Sequence, residues 1–268
     1  MTDNINAVTA PHGIAIDYVQ DVLPLSYAAQ GGTVTERHLL FALSLKIIGM
    51  TGKGQELVGF LEQRLDISLS ERQRRYLLDT DSGLYGYDVL NILKSAFVNQ
   101  IYVDPSPDEP PPVREAVALI KSLGAVPAYC YLGDVGASPT GDKAAQAFED
   151  AYLDELFPLL ADMGFDAVAF MPSRNTPEQL DRVMALCRKH ALMQVSGEDI
   201  NQPRQPFVCE ALRRPEYRHL IDTTWALIGH ERMAAEKIED GMFYRKKPQR
   251  DLDAIIYRYM NIGRNGLP

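Results

Sequence analysis

The feature that most narrows the possible folds is a repeated change of hydrophobic period between Val113 and Val195. Residues 113–123 space their apolar side chains as a helix does, and Gly124 leads into an apolar run at 126–132 that reads as a strand. A Gly- and Asp-containing loop follows, then a helical stretch of about 144–163 that Gly164 ends. Asp166-Ala167-Val168-Ala169-Phe170 reads as the next strand. Asn175-Thr176-Pro177-Glu178 opens a further helix, with Pro in its first turn, which runs to about His190. Ala191-Leu192-Met193-Gln194-Val195 reads as a buried strand. Three such alternations predict an α/β fold with a parallel sheet.

The chain before this region has a different character. Residues 1–32 are rich in Pro and Gly and read as an extended N-terminal segment. Residues 33–99 read as a helical insertion. Thr33-Val34-Thr35-Glu36 and Ser70-Glu71-Arg72-Gln73 are capping boxes, and Leu39, Leu40, Leu43 and Ile47 recur at helical spacing. His38 sits at the start of this first helix and reads as a hydrogen-bonded helix histidine. Further helices are predicted at about 55–65, from Ser70, and at about 86–97. Gln100-Ile101-Tyr102-Val103 reads as a fourth strand, closed by the Pro-rich link through Pro112. Residues 100–268 then form the α/β domain, with C-terminal helices at about 215–238 and 250–262.

The formal net charge of −9, with no long basic run, argues against nucleic acid as a partner, because phosphate binding needs clustered Lys and Arg. No apolar stretch approaches the ~18 residues of a membrane span, and no signal peptide is visible. Cys130, Cys187 and Cys209 are widely spaced and odd in number, which fits free thiols in a reducing cytoplasm. The GxxxxGK[ST], GxGxxG and GxSxG frames are all absent.

Candidate functional residues follow from what lies past each strand, since α/β sheets bind ligands beyond the carboxyl ends of their strands. After the first come Gly133, Asp134 and Lys143; after the second, Ser173, Arg174 and Asn175; after the third, Glu198, Asp199, Asn201 and Arg204. Arg174, Arg204 and Lys143 suit an anion. Asp134, Glu198 and Asp199 suit a hard divalent cation or acid–base work. Adjacent residues on an extended chain point opposite ways, which separates Glu198 from Asp199. The alternative is that these charges pair off as salt bridges closing the rim.

Three segments of the 113–206 stretch resemble the C-terminal part of the PHP-domain family, named for polymerase and histidinol phosphatase. They are Val113 to Pro127, the two helical units Leu153–Phe165 and Thr176–His190, and Ser196-Gly197-Glu198-Asp199-Ile200-Asn201. The resemblance implies part of a distorted (β/α)7, TIM-like barrel and a metal-dependent phosphoesterase acting on a small phosphorylated molecule. It implies a zinc, manganese or iron centre with Asp199 as a ligand, helped by Asp134 and His230. Glu198 would assist catalysis, and Arg174, Arg204, Lys143 and Asn201 would hold the substrate. Tyr131 and Asn201 stand where the family has His, and the His-x-His signature is absent. These departures support the alternative, a degenerate or split module that binds an anionic ligand or a partner chain without turnover. The few strands favour a homo-oligomer or a complementing chain.

Overall fold

Several helices begin where the sequence supplies a side-chain acceptor for their first free N–H groups. In the computed structural model, which describes residues 1–136, 146–200, 203–244 and 251–266, helix α2 (Glu36–Thr51) is capped by Thr35. The box expected of Thr33 and Glu36 is formed two residues later, because Glu36 is already the first helical residue: His38 Nδ1 accepts a hydrogen bond from the Thr35 backbone at 3.1 Å. Ser70 and Gln73 form the second box at the head of α4 (Glu71–Leu78), and Thr176 and Gln179 a third, with Pro177 at the first position. Each such cap is worth about 1 kcal/mol.

The chain divides into two compact units. The first comprises residues 1–106 with a return at 203–205, and it is helical. To α2 and α4 it adds α1 (Thr2–Thr9), α3 (Gln55–Gln63) and α5 (Tyr85–Ile101). Its core includes Leu40, Leu43, Ile47, Leu57, Leu61 and Leu93. Two sequence readings are corrected here. The first 32 residues are not simply extended, because α1 buries Ile5 and Thr9. The strand expected at 100–103 is absent: α5 runs on through Ile101, since Leu90, Leu93, Phe97 and Ile101 continue one buried helical face. Tyr102 and Val103, which suggested a strand, are exposed.

The second unit is a layered α/β structure. Its sheet contains β1 (Ala128–Cys130), β2 (Ala167–Phe170) and β3 (Met193–Ser196), parallel and in sequence order. Tyr129 lies opposite Val168, which in turn lies opposite Gln194. The crossovers are α7 (Leu153–Met163) and α8 (Pro177–Lys189), and α6 (Val113–Ser122) precedes the sheet. Side chains of a strand alternate between faces. Val168 and Phe170 accordingly pack with Phe157 and Leu160 of α7 and Leu180 and Val183 of α8. Ala167 and Met193 join the opposite cluster, with Ala226 of α9 (His219–Glu236) and Tyr259 and Ile262 of α10 (Leu252–Asn265). The helix expected from about residue 144 starts only at Leu153, after a short 3-10 turn at Asp150–Tyr152. Residues 144 and 145 lie outside the described residues.

Helices α9 and α10 approach closely enough to exclude a β-carbon at their crossing. A Cβ on Gly229 would sit 1.9 Å from the Tyr259 carbonyl oxygen, and one on Gly263 1.9 Å from that of Trp225. Arg232 reinforces the crossing by donating from one nitrogen to the carbonyls of Ile262 and Gly263, at 3.0 and 2.9 Å. Among the described residues no helix is long and apolar enough to cross a membrane.

Candidate functional site

Parallel pairing brings the carboxyl ends of all three strands to one edge of the sheet. The acidic side chains there are already engaged. Glu149 is 4% exposed. It accepts hydrogen bonds from the Tyr129 hydroxyl at 2.9 Å, the Leu132 N–H at 3.2 Å and the Gly133 N–H at 2.9 Å. Asp150 accepts from the Tyr131 hydroxyl at 2.5 Å, the Gln179 amide at 2.6 Å and the Asp134 N–H at 3.1 Å. Burial works to raise the Asp150 carboxyl, but the Tyr131 and Gln179 hydrogen bonds outweigh it and hold the group below the ordinary value. Burial, and then the Asp150 hydrogen bond, pushes the Tyr131 phenol far up, so it remains a donor. Asp134 accepts the Phe148 N–H at 2.5 Å.

The same accounting holds across the edge. Asn175 accepts from the Met171 N–H at 3.1 Å and donates to the Leu132 carbonyl at 2.7 Å. Arg174 donates its Nε–H to that same carbonyl at 3.2 Å, and its guanidinium carbon lies 5.7 Å from the centre of the Phe148 ring. Gly133 has φ +69°, and a Cβ there would meet Asn175 and the Tyr131 hydroxyl at 2.7 Å, so only Gly fits. Glu198 accepts from the Ser173 N–H at 3.0 Å and its hydroxyl at 2.5 Å, and the Cys209 thiol bonds to it as well. Glu198 is half-buried while Asp199 is exposed, consistent with neighbours on an extended chain facing opposite ways. Asp134, Arg174 and Glu198 are thus engaged, with backbone N–H and carbonyl groups and with the Ser173 hydroxyl.

The remaining candidates are placed elsewhere. Arg204 belongs to the first unit, where it makes a two-pronged pair with Asp88 at 2.6 and 2.7 Å and stacks 3.9 Å over the Tyr76 ring. Asp88 is 4% exposed, and its hydrogen bonds raise the Arg204 guanidinium further above its already high value. His230 is buried in α9. Its Nδ1 accepts the Met242 N–H at 2.9 Å, and the ring also bonds the Gly124 backbone. Burial holds His230 below the usual histidine value. With its ring committed to backbone, His230 does not fit the role of metal ligand. Lys143 and Asn201 lie outside the described residues. Among the described residues no three His, Cys, Asp or Glu side chains are grouped so as to hold a metal ion.

A cavity of about 620 Å³ lies elsewhere in the second unit, beside the start of β3 and between α8, α9 and α10. That volume is in the range of small-molecule sites. Gln194 and His219 line it together, with the imidazole Nε2 2.8 Å from the amide Oε1. Leu192, Leu252, Ile256 and Met260 supply an apolar wall. Burial lowers the affinity of His219 for a proton, so its neutral form is favoured. Ala191 enters the lining with φ +53°, a left-handed conformation uncommon for a residue with a side chain. The sequence reading passed over this site. The available signal was Gln194, an amide placed inside an otherwise apolar strand.

In comparison with known proteins, the chain matches no family model, no curated protein and no solved structure.

Proposed function

We propose that this chain is a non-catalytic α/β binding module, and that its second unit holds a small ligand in the Gln194–His219 cavity. The observation that carries the reading is the contrast between two places. At the carboxyl edge of the sheet, Glu149, Asp150 and Asp134 hold the 132–134 and 148 backbone in shape. In the cavity, the Gln194 amide and the His219 imidazole are also bonded, to each other and to the Met184 and Glu216 backbone, but the apolar wall beside them leaves about 620 Å³ open, a volume in the range of small-molecule sites. Amide NMR spectra of the full chain, titrated with a fragment library, test this. Shifts are expected at Leu192, Gln194, Thr223 and Ile256. A library that shifts only residues 131–134 and 171–175 would overturn it.

The second reading is the PHP-like phosphoesterase. It is favoured by the convergence of three parallel strand ends carrying Asp134, Arg174 and Glu198. Weighing against it, α9 and α10 cover the sheet face that a closed barrel would turn inward. Turnover of p-nitrophenyl phosphate with zinc, manganese or iron, lost in Asp199→Ala, is the result that would carry it.

A further inference from the structure

The sheet of the second unit is open along one side. Its order is β1-β2-β3, so β1 and β3 are the edge strands. No residue of β3 is exposed, whereas Ala128 and Cys130 of β1 are. We infer that β1 is a docking edge for a second copy of this chain, whose own β1 pairs with it antiparallel about Tyr129 and joins the two sheets into one. The inference does not depend on the cavity.

The backbone decides which groups are on offer. The Tyr131 N–H donates to the Ala169 carbonyl at 2.8 Å, and the Pro127 carbonyl accepts from Asp166 at 3.0 Å and Ala167 at 3.3 Å. Residues 127, 129 and 131 therefore turn their backbone groups to β2. Since that direction alternates along a strand, the N–H and C=O groups of Ala128 and Cys130 face outward. Among the described residues nothing takes them up. Antiparallel pairing centred on Tyr129 sets Ala128 of each copy opposite Cys130 of the other. Both are outward-facing, so each such pair exchanges both of its hydrogen bonds, and the register is self-complementary as a two-fold axis requires. Tyr129 then stands opposite its own counterpart, an aromatic cross-strand pair of a kind that stabilises sheets.

The helix layer points the same way. A crossover helix lies over the strands it joins, which puts α7 over β1 and β2 and α8 over β2 and β3. Helix α6 packs beside the end of α7, where Arg114 pairs with Asp162 and Val117 comes against Gly164. It is a crossover helix with no strand before it, because α5 is helical through Ile101 and residues 102–112 are exposed. Leu119 and Leu123 of α6, one turn apart, are 60% and 68% exposed, and Ser122 beside them adds no charge. An edge that must stay single is usually guarded by charge. With the two-fold axis perpendicular to the sheet, the second copy's α6 arrives on the same face, and the leucines of the two helices cover one another. That apolar contact is needed, because a pair of strands this short does not hold by itself.

Sedimentation of the full chain over a range of concentrations tests this, together with amide hydrogen exchange. A monomer–dimer equilibrium is expected, with the Ala128 and Cys130 amides exchanging slowly in the dimer. Leu119→Lys, an exposed change, should abolish the dimer and expose those two amides while Tyr131, bonded to β2, stays protected. Ala128→Pro removes only an outward N–H, so its circular dichroism spectrum should match the parent. Its dimer should be weaker by about thirty-fold, the worth of two symmetry-related hydrogen bonds. A chain that stays monomeric at its highest soluble concentration would overturn the inference. So would a dimer whose Ala128 and Cys130 amides exchange freely, or one that keeps its affinity in both variants, since either would place the contact on another face.

Discussion

Substituting Gly263 by Ala sets two physical effects against each other, and the structure decides the sign. On helix propensity alone, Ala in place of an interior Gly stabilises a helix by about 1 kcal/mol. Gly263 lies inside α10, so a reader of the sequence expects the variant to be more stable. At the crossing with α9, however, the new Cβ meets the Trp225 carbonyl oxygen at 1.9 Å and its carbon at 2.9 Å. Backbone cannot rotate away as a side chain does. To reach 3.0 Å, the closest approach that real β-carbons show, the 1.9 Å contact has to open by about 1.1 Å. Overpacking of this kind costs about 1–3 kcal/mol, and more where backbone must shift. The clash therefore offsets the propensity gain, and a net loss of about 1–2 kcal/mol is expected. Urea denaturation followed by circular dichroism measures it, and the midpoint should fall without a change in slope. The same separation would displace His219 and Thr223 on α9 from Ile256 and Met260 on α10, so the cavity between them should lose its shape as well. A Gly263→Ala chain more stable than the parent would refute the close crossing, since only the propensity term would then remain.

Other consequences are as direct. Glu149→Gln should cost about 2–3 kcal/mol in urea denaturation, because one of the two N–H groups of Leu132 and Gly133 would face an amide NH2 in a buried site. Arg204→Ala should cost about 3 kcal/mol, the low end for stranding a buried carboxylate because the Arg204 side chain keeps 28% exposure. Arg204→Lys should recover only part of that, losing the two-pronged pair and the stack on Tyr76. His219 and His230 both bind a proton less readily when folded than the ordinary 6.5 implies. The unfolded chain therefore holds more protons below pH 6.5, and stability should fall as pH drops from there, by up to about 1.4 kcal/mol per pH unit for each histidine. A urea midpoint flat from pH 7 to 5 would contradict it. Burial pushes the Cys187 thiol up to about 12, whereas Cys130 is exposed. A thiol reagent on the native chain should therefore modify Cys130 first and leave Cys187 intact until unfolding.

Local signals were legible in this sequence wherever one residue acts on its immediate neighbours. The box at Ser70, the Pro177 start of α8 and the stop at Gly164 mark helix ends within a residue or two of where they fall. The three alternations after Val113 correctly implied parallel strands. Errors arose where a distant partner overrides the local pattern. Glu149 and Asp150 resemble residues of a continuous helix until Leu132, Gly133, Asp134 and Tyr131 claim their oxygens. Ile101-Tyr102-Val103 has strand-like composition, yet Ile101 completes a helical face begun at Leu90. Asp134, Arg174 and Glu198 do lie past the strand ends, whereas Arg204 pairs with Asp88 in the helical unit, and charge in a sequence does not show what it already binds. The cavity was harder still, because its lining is drawn from four separate elements and only Gln194 stands out locally.

The pairing of Asp88 with Arg204 also imposes an order on biosynthesis. The carboxylate is made first and its cation 116 residues later. At translation rates of about 5–20 residues per second, that interval is roughly 6–23 s. Throughout it, the helical unit can gather its leucines, but Asp88 must stay hydrated, because sealing it without Arg204 would strand a charge. The first unit would therefore remain locally open around α5 while the sheet of the second is being synthesised. A chain arrested before residue 204 should accordingly be cut by protease near Asp88, where the full-length protein resists.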